Sequence, residues 1–171
     1  MKAMAAVASE TYTSTSAPIQ YAAVTAFNEN PEIDHYLHHV RRVLRTIARD
    51  LHERLNNMNV ELPLPHGAFY MFPNFDIYRE KLVAKGITDS VGLCERILED
   101  TGIAMLPGKD FAPEGNELTA RIAYVDFDGK EILAAAMRTV FNHGLPDSFV
   151  TDHCPKLVKA FDNLGSWFDK L

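Results

Sequence analysis

The sequence predicts an α+β domain: a small sheet of short strands covered by helices, preceded by one long amphipathic helix. Apolar residues recur at spacings of three and four from Ile33 to Met58, which is the helical period. The segments with strand composition, at 60–64, 68–73, 103–106 and 118–125, are all short. Further helical patterns lie between and after these strands, an order typical of a sheet with helices packed on it.

The long helix is expected to begin at Asn30 and Pro31, because Asn is a good N-cap and Pro fits the first helical turn. The apolar stripe continues for about seven turns and stops at the run of asparagines near residue 57. Basic residues interleave with this stripe at helical spacing, which predicts a solvated helix face rather than a nucleic-acid-binding stripe. They are Arg41, Arg42, Arg45 and Arg49.

The segments before the long helix carry weaker patterns. Residues 1–8 are typical of the end of a helix whose beginning is missing, and their apolar run is too short for a secretory signal. Residues 9–18 are rich in hydroxyls and predict a linker or exposed loop, and residues 19–28 predict a short helix.

Turn and cap residues divide the second half of the chain. Prolines at both ends of the strand at 68–73 place it at a sheet edge, and residues 74–88 predict a partly helical excursion. Asp89 or Ser90 is expected to begin a helix that Gly102 closes.

Two more helices are expected near the C-terminus. Asp128 has capping-box spacing for a helix whose stripe reaches Phe141 and which stops at residues 142–146. Asp152 is a candidate cap for a tail helix, which needs a partner surface for its apolar stripe. That stripe consists of Leu157, Val158, Phe161, Leu164 and Phe168.

Arg121 stands in the middle of the strand at 118–125 and is the one charged side chain with a site-like setting. Side chains alternate along a strand, so Arg121 lies on one face with small neighbours Thr119 and Ala123 two positions away. A guanidinium fork matches a carboxylate with two parallel hydrogen bonds, and the small neighbours leave room for a ligand. The alternative is an edge-strand arginine paired with a nearby Asp or Glu.

Composition narrows the classes of function. The 171 residues are 47% hydrophobic and 23% charged, which is ordinary for a globular protein. A net charge of −6 argues against nucleic acid or an anionic membrane as a partner, and no segment is apolar enough to span a bilayer. Cys94 and Cys154 have no metal or redox spacing and predict free thiols in a reducing, cytoplasmic setting. His35 and His39 lie one turn apart but lack an obvious third ligand, so no metal site is expected.

Three strings in this order resemble the C-terminal part of the class I/II aminotransferases, the fold type I, aspartate aminotransferase-like enzymes that use pyridoxal phosphate. They are residues 15–23 (TSAPIQYAA), residues 65–73 (PHGAFYMFP), and residues 102–108 (GIAMLPG) followed by Phe111 and the Arg121 strand. The resemblance covers roughly residues 1–142. It implies that residues 1–28 are a remnant of the large domain and the interdomain segment, that 29–144 are the small domain, and that 145–171 are a linker and an added amphipathic helix.

The resemblance also implies roles for particular residues. Arg121 matches the arginine that binds the substrate α-carboxylate, and Gly67 and Phe69 match a strand that lines the substrate pocket. Ser14, Thr15 and Ser16 match a stretch that approaches the cofactor phosphate of the neighbouring subunit in family dimers. The implied substrates are an amino acid and a 2-oxo acid, and the implied assembly is a homodimer.

The family's cofactor-binding lysine has no counterpart in this sequence. In the family that lysine holds pyridoxal phosphate as a Schiff base in the large domain, and none of the lysines here stands in its motif. Transamination needs this lysine, so the chain is expected to be inactive and without catalytic residues of its own. It is also expected to self-associate through residues 12–21 or the tail helix. A related pyridoxal-phosphate lyase or synthase and a non-catalytic binding module remain open.

Overall fold

The computed structural model describes residues 2–11, 14–111, 116–140 and 143–171. The chain divides into two compact units, Met1–His38 and His39–Leu171. The expected boundaries at residues 28 and 144 remain predictions.

The first unit contains helix α1 (Lys2–Thr11), helix α2 (Ala17–Phe27) and the beginning of helix α3 (Pro31–Asn57). The helices expected in residues 1–8 and 19–28 are confirmed. The linker expected at 9–18 is shorter than predicted, because Ser9 to Thr11 complete α1 and Pro18 lies in the first turn of α2. Proline is accepted there because the first N–H groups of a helix have no intrahelical partner. The described residues of α1 and α2 include no buried side chain.

Helix α3 confirms the predicted start and stripe. The Asn30 side-chain oxygen accepts the backbone N–H of Glu32 at 2.9 Å, which satisfies one of the free donors of the first turn. The stripe residues of its second half are buried and form one wall of the core. They are Val43, Ile47, Leu51 and Leu55.

The sheet has three antiparallel strands in the order β1 (Tyr70–Met71), β3 (Ala120–Ala123), β2 (Leu106–Pro107). Strand β1 lies at an edge, as its flanking prolines predict. Strand β3 lies in the centre, so the alternative interpretation of Arg121 as an edge-strand arginine is wrong.

The strand expected at 60–64 is absent, and this segment contributes only a single bridge between Glu61 and Asn74. The strand expected at 103–106 begins only at Leu106. The backbone N–H of Ile103 donates instead to the Thr101 hydroxyl at 3.2 Å, which extends the end of the preceding helix rather than the sheet.

The start of β3 is anchored by the segment that follows β1. The backbone N–H of Phe75 donates to the Leu118 carbonyl at 2.9 Å, and the Leu118 N–H donates to the Asp76 carboxylate at 3.1 Å. The predicted excursion at 74–88 is a 3-10 turn (Asp76–Tyr78) followed by helix α4 (Arg79–Ala84). This anchoring fixes where the Arg121 strand enters the sheet.

Helix α5 (Ser90–Thr101) has the predicted ends. The Asp89 carboxylate accepts the Gly92 N–H at 2.8 Å, and Gly102 closes the helix in the left-handed conformation with φ of 75°.

Helix α6 (Gly129–Met137) begins as predicted and ends early. The Asp128 carboxylate accepts the Glu131 N–H at 2.9 Å. The helix ends before Val140, where its apolar stripe was expected to continue. Phe141, the last residue of that stripe, and Asn142, the first residue of the predicted stop, lie outside the described residues.

The Arg42 guanidinium donates hydrogen bonds to backbone carbonyls that follow α6. Its Nη2 donates to the Thr139 hydroxyl at 2.8 Å, the Val140 carbonyl at 3.0 Å and the His143 carbonyl at 2.7 Å. Its Nη1 lies 3.4 Å from the Ala136 carbonyl. Arg42 is only 9% exposed, so the prediction that it lies on a solvated face is wrong, although Arg41, Arg45 and Arg49 are exposed.

The tail forms helix α7 (Phe149–His153) and helix α8 (Pro155–Asp169). Asp152 lies inside α7, so its predicted role as the cap of the tail helix is wrong. Pro155 opens α8 because a proline interrupts α7 and suits a first turn.

The apolar stripe of α8 is buried within the chain. Helix α8 packs on α5, and the Phe168 ring stacks on the rings of Phe75 at 5.1 Å and Tyr78 at 4.4 Å between centroids. The partner surface that the tail helix requires is therefore supplied by its own unit. The apolar face of α8 is therefore not available for the self-association that was expected through the tail helix.

One contiguous core lies in the second unit, formed by α3, α5, α6, α8 and the sheet. Within the described part of the chain, no helix combines the length and apolar character needed to cross a membrane.

Candidate functional site

Arg121 lies between two aromatic rings. Its Cζ atom is 4.5 Å from the centroid of the Tyr70 ring and 4.5 Å from that of the Phe111 ring. Tyr70 comes from β1, and Phe111 follows the 3-10 turn (Gly108–Asp110) that continues from β2. Each neighbour of the central strand thus contributes one ring, and both rings attract the guanidinium through cation–π interaction.

Alternation along β3 separates the core from the site as predicted. Leu118, Ala120, Ile122 and Tyr124 are all at most 5% exposed and face the core. Arg121 is partly exposed on the other face.

Gly108 holds the Phe111 turn close to β3. A Cβ atom at this position would lie 1.8 Å from the Thr119 hydroxyl oxygen and 2.9 Å from the Thr119 carbonyl oxygen. The Gly108 N–H donates to that carbonyl at 2.8 Å. The Pro-Gly turn is therefore required for the close approach that brings the Phe111 ring over Arg121.

Arg121 has no ion pair with any carboxylate among the described residues, which leave out 112–115. The described residues therefore do not support the alternative that Arg121 pairs with a nearby Asp or Glu. The two ring partners were missed by sequence reasoning, because the pairing of Tyr70 with Ala123 depends on strand register.

Phe69 and Gly67 are placed differently with respect to Arg121. The Phe69 ring contacts the Tyr70 ring at 4.4 Å between centroids, so it lies one ring away from the guanidinium. Gly67 lines a cavity of about 280 Å³ whose other walls include Arg41 and Arg45, and Arg121 does not line it. The structure therefore joins Phe69, but not Gly67, to the Arg121 cluster.

Ser14, Thr15 and Ser16 are exposed and lie in the first unit. Ser16 precedes α2, and its side chain makes no capping hydrogen bond. The Thr15 carbonyl accepts the Gln20 side-chain amide at 2.7 Å.

The two thiols are unsuited to nucleophilic chemistry. Cys94 and Cys154 are buried, and burial raises the pKa of each thiol from 9.0 to about 11. Nearby carboxylates add to the effect, with Asp110 acting on Cys94 and Asp50 on Cys154. Such thiols are almost entirely protonated near neutral pH.

No group of three His, Cys, Asp or Glu side chains in the described ranges is arranged to hold a metal ion.

Comparison with known proteins identifies the family. The family model for aminotransferase class I and II matches residues 1–136. A probable aspartate/prephenate aminotransferase of Aquifex aeolicus is 30% identical over 115 residues, covering 67% of this chain and 28% of the relative. An asparagine–oxo-acid transaminase of Streptococcus mutans is 29% identical over 126 residues, covering 68% and 29%. The chain thus spans less than a third of the length of these relatives.

The fold agrees with this match. A single mutant of Thermus thermophilus aspartate aminotransferase superposes with a TM-score of 0.62 at 25% identity, covering 96% of this chain and 33% of that structure. An aromatic aminotransferase from Pyrococcus horikoshii superposes with a TM-score of 0.57 at 23% identity, covering 95% and 34%, and supports the fold alone. The predicted α+β fold is confirmed, and the chain belongs to the class I and II aminotransferases.

Proposed function

We propose that this chain supplies the substrate carboxylate clamp of an aminotransferase that moves an amino group between an amino acid and a 2-oxo acid. The observation that carries the proposal is the Arg121 guanidinium, held between the Tyr70 and Phe111 rings without an ion-pair partner among the described residues. Both substrate classes carry an α-carboxylate, which a guanidinium binds with two parallel hydrogen bonds.

The setting of Arg121 favours binding over a purely structural role. Its face of β3 carries the small side chain of Ala123 on one side, which leaves space beside the guanidinium. The two nearby rings reduce the access of water, and charge-assisted hydrogen bonds strengthen as the local dielectric falls.

Pyridoxal phosphate is the cofactor that the family implies for the full-length enzyme, and when bound it supplies the electron sink for moving the amino group. We propose that Ser14, Thr15 and Ser16 donate to its phosphate. Their exposure and the unengaged side chain of Ser16 are compatible with this role. Because no lysine stands in the family's attachment motif, the chain alone is expected neither to hold the cofactor covalently nor to transaminate.

The proposed assembly is a homodimer, or another self-association, through the first unit. Apolar side chains there are strongly exposed, with Tyr21 at 79% and Phe27 at 90%. Exposed apolar surface of this kind favours association. The proposed location is the cytoplasm, because free, buried cysteines are typical of proteins in a reducing compartment.

The clamp is tested by titrating the ¹⁵N-labelled chain with L-alanine and pyruvate and following backbone amide shifts by NMR. L-alaninamide, which lacks the carboxylate, is the matched ligand control. Saturable shifts are expected around Arg121 with both acids, and none with the amide.

Variants then assign the binding to the guanidinium. Arg121→Leu should weaken binding of both acids at least tenfold, and Arg121→Lys should weaken it less because the charge remains. Arg49→Leu removes an exposed arginine elsewhere and should leave binding unchanged. Unchanged binding in Arg121→Leu would show that the clamp assignment is wrong.

Cofactor competence is tested separately by adding pyridoxal phosphate and measuring absorbance after dialysis. No retained band is expected from the chain alone. A retained band together with amino transfer from L-alanine would contradict the proposed inactivity but not the clamp.

Binding of acids without retained cofactor also separates this proposal from an independently active lyase or synthase. A non-catalytic binding module would give the same result with this chain. It is distinguished by restoring activity with the family's lysine-bearing domain in trans, which only an aminotransferase clamp should support.

A further inference from the structure

The cavity lined by Gly67 is a second, separate feature of the second unit. It has a volume of about 280 Å³ and lies between helix α3 and the loop at residues 65–68, with Tyr124 as part of its wall. Tyr124 faces the core, opposite to Arg121, because side chains alternate along the strand. The cavity is therefore on the other side of the sheet from the proposed clamp.

Two arginines line this cavity from one helix face. Arg41 and Arg45 are four residues apart, and neither forms an ion pair with a carboxylate in the described part of the chain. Like charges at this spacing destabilise a helix. A bound anion would relieve that repulsion, and His66 adds a third polar side chain to the same cavity.

The opposite wall is a constrained loop. Ala68 has a φ of 59°, which is unusual for a residue other than glycine, and its carbonyl accepts the Tyr124 hydroxyl at 3.2 Å. Tyr124 is 1% exposed, so this hydrogen bond ties the loop to the core. Backbone strain held in place by the surrounding structure is common at binding sites.

We propose that this cavity is a binding site for a small dianion, either a phosphate monoester or a dicarboxylate. Two guanidinium groups match two negative charges or one doubly charged group, and both ligand classes accept paired hydrogen bonds from arginine. None of the carboxylates in the described ranges lines the cavity to compete for the arginines. Its volume is just below the range of ordinary ligand pockets, which suits a compact anion.

The other two arginines in this stretch of α3, Arg42 and Arg49, do not line the cavity. Arg49 lies one turn beyond Arg45 and is exposed, but it does not line the cavity. Arg42 is buried and its guanidinium serves the carbonyls after α6. Arg49 is therefore a matched control on the same helix.

The site is tested by titrating the ¹⁵N-labelled chain with inorganic phosphate and, separately, with succinate, at constant ionic strength maintained with sodium chloride. Saturable amide shifts are expected at residues 41–48 and 66–68 with at least one of the two. Phosphate alone would identify a phosphate ester as the ligand class, and succinate alone a dicarboxylate. Equal shifts with acetate, or no saturation with either dianion, would overturn the proposal.

The variants separate this site from the clamp. Arg41→Gln with Arg45→Gln should weaken dianion binding at least tenfold, and each single change should weaken it by a smaller factor. Arg49→Gln should change it less than twofold. Arg121→Leu should also change it less than twofold when affinity is measured from the amides of residues 41–48 and 66–68, although succinate carries carboxylates that the clamp is proposed to bind. An equal loss of dianion affinity in Arg49→Gln would show that only the overall positive charge matters. A loss in Arg121→Leu would show that the dianion binds at the clamp. Either result would refute the second site, whereas failure of the clamp test would leave it unaffected.

Discussion

Replacing Arg42 with Met should lower the free energy of unfolding by about 2 kcal/mol. The change removes three charge-assisted hydrogen bonds of 3.0 Å or less, to Thr139, Val140 and His143. Each of these bonds contributes about 1 kcal/mol net, because Val140 and His143 are exposed and water can replace the lost donor. The three lost hydrogen bonds therefore cost about 3 kcal/mol in total. Arg42 Nε is a buried donor without an acceptor among the described atoms, so its removal offsets about 1 kcal/mol of this cost.

The assay is urea denaturation followed by circular dichroism, with thermal unfolding as a second measurement. A loss of this size corresponds to a Tm about 4–8 °C lower for a chain of this length. Arg49→Met is the control, since it makes the same substitution on an exposed site of the same helix and should change stability by less than about 0.5 kcal/mol. Methionine and arginine have similar helix propensities, so the difference between the variants isolates the buried guanidinium.

Amide hydrogen exchange locates the effect. The amides of the last turn of α6 should exchange faster in Arg42→Met, because that turn loses its link to α3. Equal stability of the two variants, or an unchanged exchange pattern at the end of α6, would refute the reasoning that Arg42 secures this helix end.

Three further outcomes follow from the packing and the ionisable groups. Gly108→Ala should lower stability by about 1–3 kcal/mol, because the added Cβ meets the Thr119 side chain and backbone; a urea midpoint like that of the wild type would contradict this. The raised pKa values of Cys94 and Cys154, about 11 against 9.0, mean that folding favours the protonated thiols. Their contribution is complete below pH 9 and is lost as the pH rises towards 11, so the urea midpoint should fall across that window, and less in a Cys94→Ala, Cys154→Ala variant. Asp128→Ala should cost about 1 kcal/mol by removing the cap of α6, whereas Asp128→Asn should cost less, and equal losses in both would argue against a capping role.

Local signals in the sequence predicted the helices well. Asn30, Asp89 and Asp128 each accept a backbone N–H two or three residues later, and the residue pattern that predicts a cap involves only these near neighbours. The alternation around Arg121 was equally local, and the core face of β3 is buried as predicted.

The larger errors and omissions depended on residues far apart in the chain, whereas the smaller ones, such as the cap role of Asp152, were local. Arg42 was assigned to a solvated face because its role requires carbonyls more than ninety residues away, at the end of α6. The tail helix was expected to need a partner surface and was one of two segments expected to mediate self-association, because the surface around α5 and Phe75 could not be located from the sequence of the helix. Likewise, the Tyr70 and Phe111 rings on Arg121 depend on a strand order that periodicity does not specify.

The ring contacts of Arg121 have a consequence for ligand shape. Its Cζ atom lies 4.5 Å from the centroids of both the Tyr70 and the Phe111 rings, so these two rings occupy part of the space around the guanidinium. A flat carboxylate needs less of the remaining space than the three-oxygen group of a sulfonate or phosphonate. The rings also restrict the rotamers of a long side chain before any ligand arrives, so less conformational entropy remains to be lost on binding. The strands on either side of β3 would thus favour a planar acid as the ligand of this arginine.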